Sequence, residues 1–274
     1  MLALVHAVGA GIGECELTFL ARRPIDVERA RAAHAGYCAC LRACGADVRL
    51  VDVSPQHPDA TFIEDTFVVL DEVAVAGAMG VASRRAEVDA LLPIVAAHRA
   101  VVRLPEGATL EGGDVLRVGR TLFVGRSRRT NDLGIAALAS ATAELGYRVV
   151  AVPVDGCLHL KTACTAVDDE TVLCNPEWVD VARFAPLRVV PVPEAEPFGG
   201  NVLRVGGALV ASAAHPRTAE LLTGLGHRVH LVDIGELEKA EAGVTCLALL
   251  FADRGASAEP AAGHGPAPGR AGPG

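Results

Sequence analysis

Apolar and polar positions along this chain come in short paired bursts. One block reads Gly113-Asp114-VLRVGRTLFVG and a later one reads Gly200-Asn201-VLRVGGALVAS. An earlier block, Glu64-Asp65-TFVVLDEVAVAG, and a weaker fourth, Cys164-TAVDDETVLCN, share the shape. Each opens with an acidic, amide or small polar residue, runs apolar, turns at Gly, Asp or Glu, and runs apolar again. That is the pattern of a β-hairpin. After three of the hairpins the period lengthens to that of a helix. Arg84 to His98 has helical spacing broken at Pro93, and Asn131 to Leu145 is cleaner, with Thr130 as its expected N-cap. Pro216 suits the first turn of a helix over Arg217 to Leu225.

The helical stretches end alike. Gly45, Gly146 and Gly226 each follow one and precede a strand-like run, Val48-RLVDV, Val149-VAVPV and Val229-HLVDI. Glycine just past a helix end adopts the left-handed conformation cheaply. The repeated unit is therefore strand, strand, helix, strand. A fifth hairpin begins at Cys246-LALLF and closes on Leu2-ALVHAV near the start of the chain. Units that bury a face only against their neighbours form rings or solenoids. Five units joined through the two chain ends predict a closed α/β ring with equivalent positions around a central hole. Residues 252 to 274 are rich in Gly, Ala and Pro without apolar periodicity, so they read as a disordered tail beside one domain over 1 to 251.

Composition narrows the function. A chain of 274 residues, 51% hydrophobic and 21% charged, buries a proper core. The formal net charge of −8 comes with no basic stripe, which argues against nucleic acid as a partner. No apolar run reaches the length of a membrane span, and the first residues lack a signal peptide's basic region. The expected location is cytoplasmic, where the eight cysteines are free thiols. No CxxC pair is present. Of Cys38, Cys40 and Cys44, only the last two share a helix face, and all three read as packing residues.

Three positions stand out for chemistry. Glu111 lies in Leu110-Glu-Gly-Gly-Asp114, His159 in Leu158-His-Leu-Lys-Thr162, and Cys246 in Gly243-Val-Thr-Cys-Leu247. Each sits at or just before the first strand of a unit, so the ring aims all three at one space. A thiolate attacks, a histidine moves protons, and a carboxylate orients the histidine. Taken singly, each has a plainer reading as a packing cysteine, a hydrogen-bonded histidine or a turn residue; their equivalence in the repeat favours the catalytic one. Asp59, Glu64 and Asp65 are either a solvated loop or carboxylates matched to a guanidinium fork. Arg84 and Arg129 are either surface charge or holders of a substrate carboxylate.

At these residues the sequence resembles the dimethylarginine dimethylaminohydrolases, a family of guanidine-modifying enzymes. The motifs are Phe62-Ile-Glu-Asp65, Ser83-Arg-Arg85, Leu110-Glu-Gly-Gly-Asp114, Arg129-Thr-Asn131, Leu158-His-Leu-Lys161 and Leu237-Glu-Lys239 leading to Thr245-Cys246. They occur in order between Leu2 and Phe251. The resemblance implies a five-bladed α/β propeller (pentein) that hydrolyses methylated arginine to citrulline and an amine. It implies Cys246 as nucleophile, His159 as acid and base, and Glu111 as the carboxylate behind the histidine. It also implies substrate contacts at Leu17, Asp59, Glu64, Asp65, Arg84 and Arg129, with the arginines toward the amino-acid end. This chemistry calls for no metal and no cofactor, only a small-molecule substrate, and the expected assembly is a monomer or homodimer.

The chain departs from the family's usual pattern at Gly77-Ala-Met-Gly80, at Val5-His-Ala-Val8 and at Ala240-Glu-Ala-Gly243, which bears on substrate preference. The rival readings are an arginine deiminase and a non-catalytic ring-shaped binding protein. The first lacks its Gly-rich, His-bearing stretch before Cys246. The second gives no reason to keep Glu111, His159 and Cys246 at equivalent sites. A zinc hydrolase lacks a spaced ligand set.

Overall fold

Each predicted hairpin is antiparallel and gains a third, parallel strand after its connection. The computed structural model describes residues 1–252. The tail expected over 252–274 thus lies, past Ala252, outside the described residues. Strand β1 (Leu2–His6), helix α1 (Val27–Ala43) and strand β2 (Asp47–Val51) open the chain. The second blade is β3 (Phe67–Val69), β4 (Val73–Ala76), α2 (Arg85–Ala96) and β5 (Ala100–Val102). The third is β6 (Val115–Val118), β7 (Thr121–Arg126), α3 (Asp132–Thr142) and β8 (Arg148–Pro153). In the fourth, the four-residue helix α4 (Leu160–Ala163) precedes β9 (Cys164–Ala166) and β10 (Thr171–Cys174), and a 3-10 turn (Val181–Phe184) replaces the long helix before β11 (Arg188–Pro191). The fifth is β12 (Val202–Val205), β13 (Ala208–Ser212), α5 (Pro216–Gly224) and β14 (Val229–Val232). After α6 (Gly235–Glu238), β15 (Leu249–Phe251) pairs antiparallel with β1, Leu2 facing Phe251, and so completes the first blade.

The five sheets have the orders 15-1-2, 3-4-5, 6-7-8, 9-10-11 and 12-13-14. Alternation along a strand sends neighbouring side chains to opposite faces. Ala74 and Ala76 pack with Val88, Leu91 and Val95 of α2, whereas Val75 between them packs with Leu122, Val124 and Leu138 of the next blade. Both faces are therefore buried. The apolar core divides into five clusters, and each lies between two successive sheets. Phe123 and Phe184, with ring centroids 5.1 Å apart, fill one of these wedges. Truncating such a buried ring costs about 3–5 kcal/mol. Five wedges between five sheets close the ring and leave the blades' first strands around its axis.

Two local expectations needed correction. The helix over Arg84 to His98 is not broken at Pro93 but continues to Ala96; Asp89 and Pro93 are both exposed, so the carbonyl that loses its N–H partner lies on the solvent side of the helix. The cap of α3 is Asn131, whose side chain accepts from Gly134 N–H at 2.8 Å, and not Thr130. The Thr130 hydroxyl instead accepts from Glu111 N–H at 3.2 Å. Gly45, Gly146 and Gly226 do take the left-handed conformation, with φ of 92°, 77° and 94°. No helix among the described residues is long and apolar enough to cross a membrane.

Candidate active site

Four blades deliver polar side chains to one end of the ring axis, each from the short segment before a first strand. Asp65 comes from a 3-10 turn (Ile63–Thr66) before β3. Glu111 precedes a 3-10 turn (Gly112–Asp114) before β6, and His159 caps α4 before β9. Cys246 ends the loop before β15. These turns leave the side chains near the axis while the strands that follow run outward into packed sheets.

His159 and Glu111 form the tightest pair, with Nε2 and Oε2 2.8 Å apart and both residues buried. The Glu111 carboxylate also accepts from Gly80 N–H at 3.1 Å and faces Arg129 Nη1 at 3.4 Å. On its other edge His159 Nδ1 lies 3.7 Å from Asp65 Oδ1. Such crowding demands glycine at Gly113: a Cβ there would sit 2.6 Å from His159 Nδ1 and 2.7 Å from Asp65 Oδ1. The paired glycines after Glu111 are thus a matter of close approach, since their φ angles are ordinary.

Cys246 shares a cavity with His159, Asp65, Arg129, Asp59 and Leu158. Gly243 N–H points at its Sγ from 3.4 Å. The buried Tyr37 hydroxyl of α1 donates to Val244 O at 2.8 Å and holds the nucleophile loop in place.

Burial works against charge on each group, and the neighbours decide the outcome. For His159, burial opposes protonation, but Asp65, the Glu111 hydrogen bond and Asp114 raise its pKa to about 9. For Cys246, burial together with the negative Asp65 and Glu64 pushes the thiol up to about 12, against the Gly243 N–H and Lys161. Asp65 is pulled below the usual carboxylate range despite burial, by His159 and Arg84. The resting site is thus an imidazolium between carboxylates beside a neutral thiol.

The expected substrate residues divide. Asp59 lines the cavity, but both its oxygens also accept from Glu16 N–H at 3.2 Å. Arg84 also lines the cavity, and its donors are engaged by protein groups. Nη1 donates to Asp65 at 2.6 Å, Nη2 to Glu87 and Phe62 O at 3.0 Å, and Nε to Glu87 at 3.1 Å. In this arrangement it holds Asp65. Arg129 does face the cavity, with Nη2 donating to Thr18 Oγ1 at 3.2 Å. Leu17 packs its side chain on the core beside α1. Glu64 is absent from the cavity and pairs with Lys161 beside Thr165 and Thr245 at the other end of the axis.

Glu241 escaped the sequence reading. Its carboxylate accepts from Thr18 N–H at 3.0 Å and from Phe19 and Leu20 N–H, both at 2.5 Å, and clasps the loop beside the cavity. It is the one non-glycine residue with positive φ, 60°, among the described residues. Its only signal in the sequence was the departure at Ala240-Glu-Ala-Gly243.

Comparison with known proteins agrees with this geometry. The family described as N,N dimethylarginine dimethylhydrolase, eukaryotic, matches residues 19–182. A relative from Streptomyces coelicolor named N(G),N(G)-dimethylarginine dimethylaminohydrolase is 43% identical over 90% of this chain and 95% of its own length. One of the same name from Pseudomonas aeruginosa is 30% identical over 82% of this chain and 90% of its own. The structure of a Pseudomonas aeruginosa enzyme, a cysteine-to-serine mutant complexed with citrulline, superposes with a TM-score of 0.87 at 27% identity, covering 91% of this chain and 98% of that one. Fold and site together define a five-bladed α/β propeller hydrolase acting on a guanidine C–N bond. Within that class, the chain belongs to the dimethylarginine dimethylaminohydrolase family.

Proposed function

We propose that this chain hydrolyses Nω-methylated L-arginine to L-citrulline and dimethylamine or methylamine. The observation that carries the reading is the shared cavity of Cys246, His159 and Asp65, with Glu111 bound behind His159. A guanidinium is planar and cationic and suits the Asp65 carboxylate, which its neighbours keep ionised. Its charge works against the burial and the carboxylates that hold the Cys246 thiol neutral, so substrate favours its own nucleophile.

On substrate binding the thiol proton passes to solvent, and the Cys246 thiolate then bonds to the guanidinium carbon. The C–N bond to the methylated nitrogen breaks, its electron pair stays on nitrogen, and His159 supplies the proton from Nδ1. Water opens the thiouronium left on Cys246: neutral His159 takes one water proton as the C–O bond forms, and the departing Cys246 thiolate takes the other as the C–S bond breaks. Glu111 holds the imidazole throughout. Arg129, which lines the cavity and bonds to Thr18, would hold the amino-acid end, with Leu17 beside Thr18 as a further contact.

Residues 1–251 act as one catalytic domain, since β15 pairs with β1. All eight cysteines are free, which suits a reducing cytoplasm. The site is complete within one chain, so a monomer or a homodimer serves equally.

The test is citrulline release from asymmetric dimethylarginine, monomethylarginine and arginine. Turnover of the methylated substrates alone, abolished in Cys246→Ser, is expected. Preference for arginine would turn the reading to a deiminase.

A further inference from the structure

A second cluster of reactive side chains lies away from the cavity, across the junction of the fifth and first blades. Cys40 and Cys44 stand one helical turn apart at the C-terminal end of α1, where Cys44 N–H donates to Cys40 O at 3.0 Å. Strand β14, packed against α1, brings His230 to the same spot. One donor atom from each of the three lies within 4.8 Å of the others.

We propose that Cys40, Cys44 and His230 bind a thiophilic divalent cation of the zinc type. Two thiolates and an imidazole are the donor set that such ions select over magnesium or calcium. A tetrahedral ion with metal–sulfur bonds of about 2.3 Å and a metal–nitrogen bond of about 2.1 Å needs ligand atoms about 3.5–3.8 Å apart. The three side chains therefore close by no more than about 1 Å, within reach of their rotamers. Water takes the fourth position.

The surroundings suit an ion. Cys44 is buried while Cys40 and His230 are half-buried, and Cys40 opens onto a surface groove beside Ala33, Gly36 and Leu231 that gives entry. No hydrogen bond engages the His230 ring among the described residues, so a nitrogen lone pair is available. Each thiol that joins the metal releases its proton to solvent, and no oxidation state changes. The ion staples α1 to β14 where the ring closes. This site is independent of the hydrolase reading and takes no part in it.

The test uses the full chain carrying Cys246→Ser, reduced, so that the cavity offers no thiol. Titration with Co2+ should give thiolate-to-cobalt charge-transfer absorption saturating at one equivalent. Zn2+ at about a hundredfold excess over its Kd should raise the thermal midpoint by about 5 °C. Both effects should vanish in Cys40→Ser and in His230→Gln, the second being a half-buried change that the fold tolerates. Absence of charge transfer in the Cys246→Ser protein overturns the site. So does a signal unchanged by His230→Gln, or one that appears only while Cys246 is present.

Discussion

Glu64 and Asp65 are adjacent carboxylates in one 3-10 turn, both buried, yet they serve opposite ends of the ring axis. Asp65 looks into the cavity with His159 and Cys246, and Glu64 looks away toward Lys161 and Thr165. Their protonation diverges too. Burial raises the pKa of each, but Asp65 meets His159, Arg84 and Arg129 and falls below the ordinary value, while Glu64 meets the cation of Lys161 and the Thr245 hydroxyl and stays above it. The number of cations in reach, rather than burial or residue type, separates the cavity-facing carboxylate from the one paired with Lys161. The turn geometry that parts the two side chains gives one dipeptide a cavity-facing carboxylate and one paired with Lys161.

The largest effect expected lies on the cavity side. Cys246→Ser should lower kcat by at least about 10^4-fold without changing the fold, since nucleophile loss in such sets is that severe. Citrulline release with circular dichroism as control measures it. Asp65→Asn should lower kcat/KM by about 10^2-fold or more, because it removes the charge facing the guanidinium. Glu64→Gln is the counterpart. It should change kcat/KM less than about tenfold while costing about 2 kcal/mol in urea unfolding, from a partly buried ion pair left with an unpaired Lys161. Equal kinetic losses in the two variants would break the comparison.

The pH profile sharpens it. His159 is raised from 6.5 to about 9, so between those values the folded protein keeps a proton that the unfolded chain has lost. The resulting stabilisation is complete below about pH 6.5 and disappears as pH rises through about 9. The acid needed by the leaving amine disappears over the same upper limb, so kcat/KM should fall through about pH 9. In Asp65→Asn that limb should move to lower pH, and in Glu64→Gln it should stay. The smallest effect is expected at Glu241. Replacing it by Gln weakens a clasp on three N–H groups and should raise KM about three- to tenfold with kcat nearly kept. A kcat loss matching that of Asp65→Asn would make Glu241 part of the chemistry instead.

Much of this was open to reading along the chain. A hairpin is a local object, and its period-2 alternation, its turn residues and the glycines at Gly45, Gly146 and Gly226 all act within a few residues of themselves. The five-fold repetition follows from the same local signals counted along the chain. Cys246, His159 and Glu111 were legible because the repeat places them at equivalent positions, so their convergence needed only the ring.

Partner choice among buried charges was decided by the tertiary structure alone. Arg84 reads as a cavity cation, but its pairing with both Asp65 and Glu87 could not be read from the chain. Glu64 reads as Asp65's companion and turns the other way. Glu241 reaches back more than two hundred residues to Thr18, and His230 reaches Cys40 and Cys44 only across the ring's closure. Electrostatics at a few ångströms depends on which atoms the packed wedges bring together, and that distance is set by five interlocked interfaces at once. Local pattern thus specifies the blades and the identity of the reactive groups, while closure of the ring specifies whom each charge meets and therefore what it does.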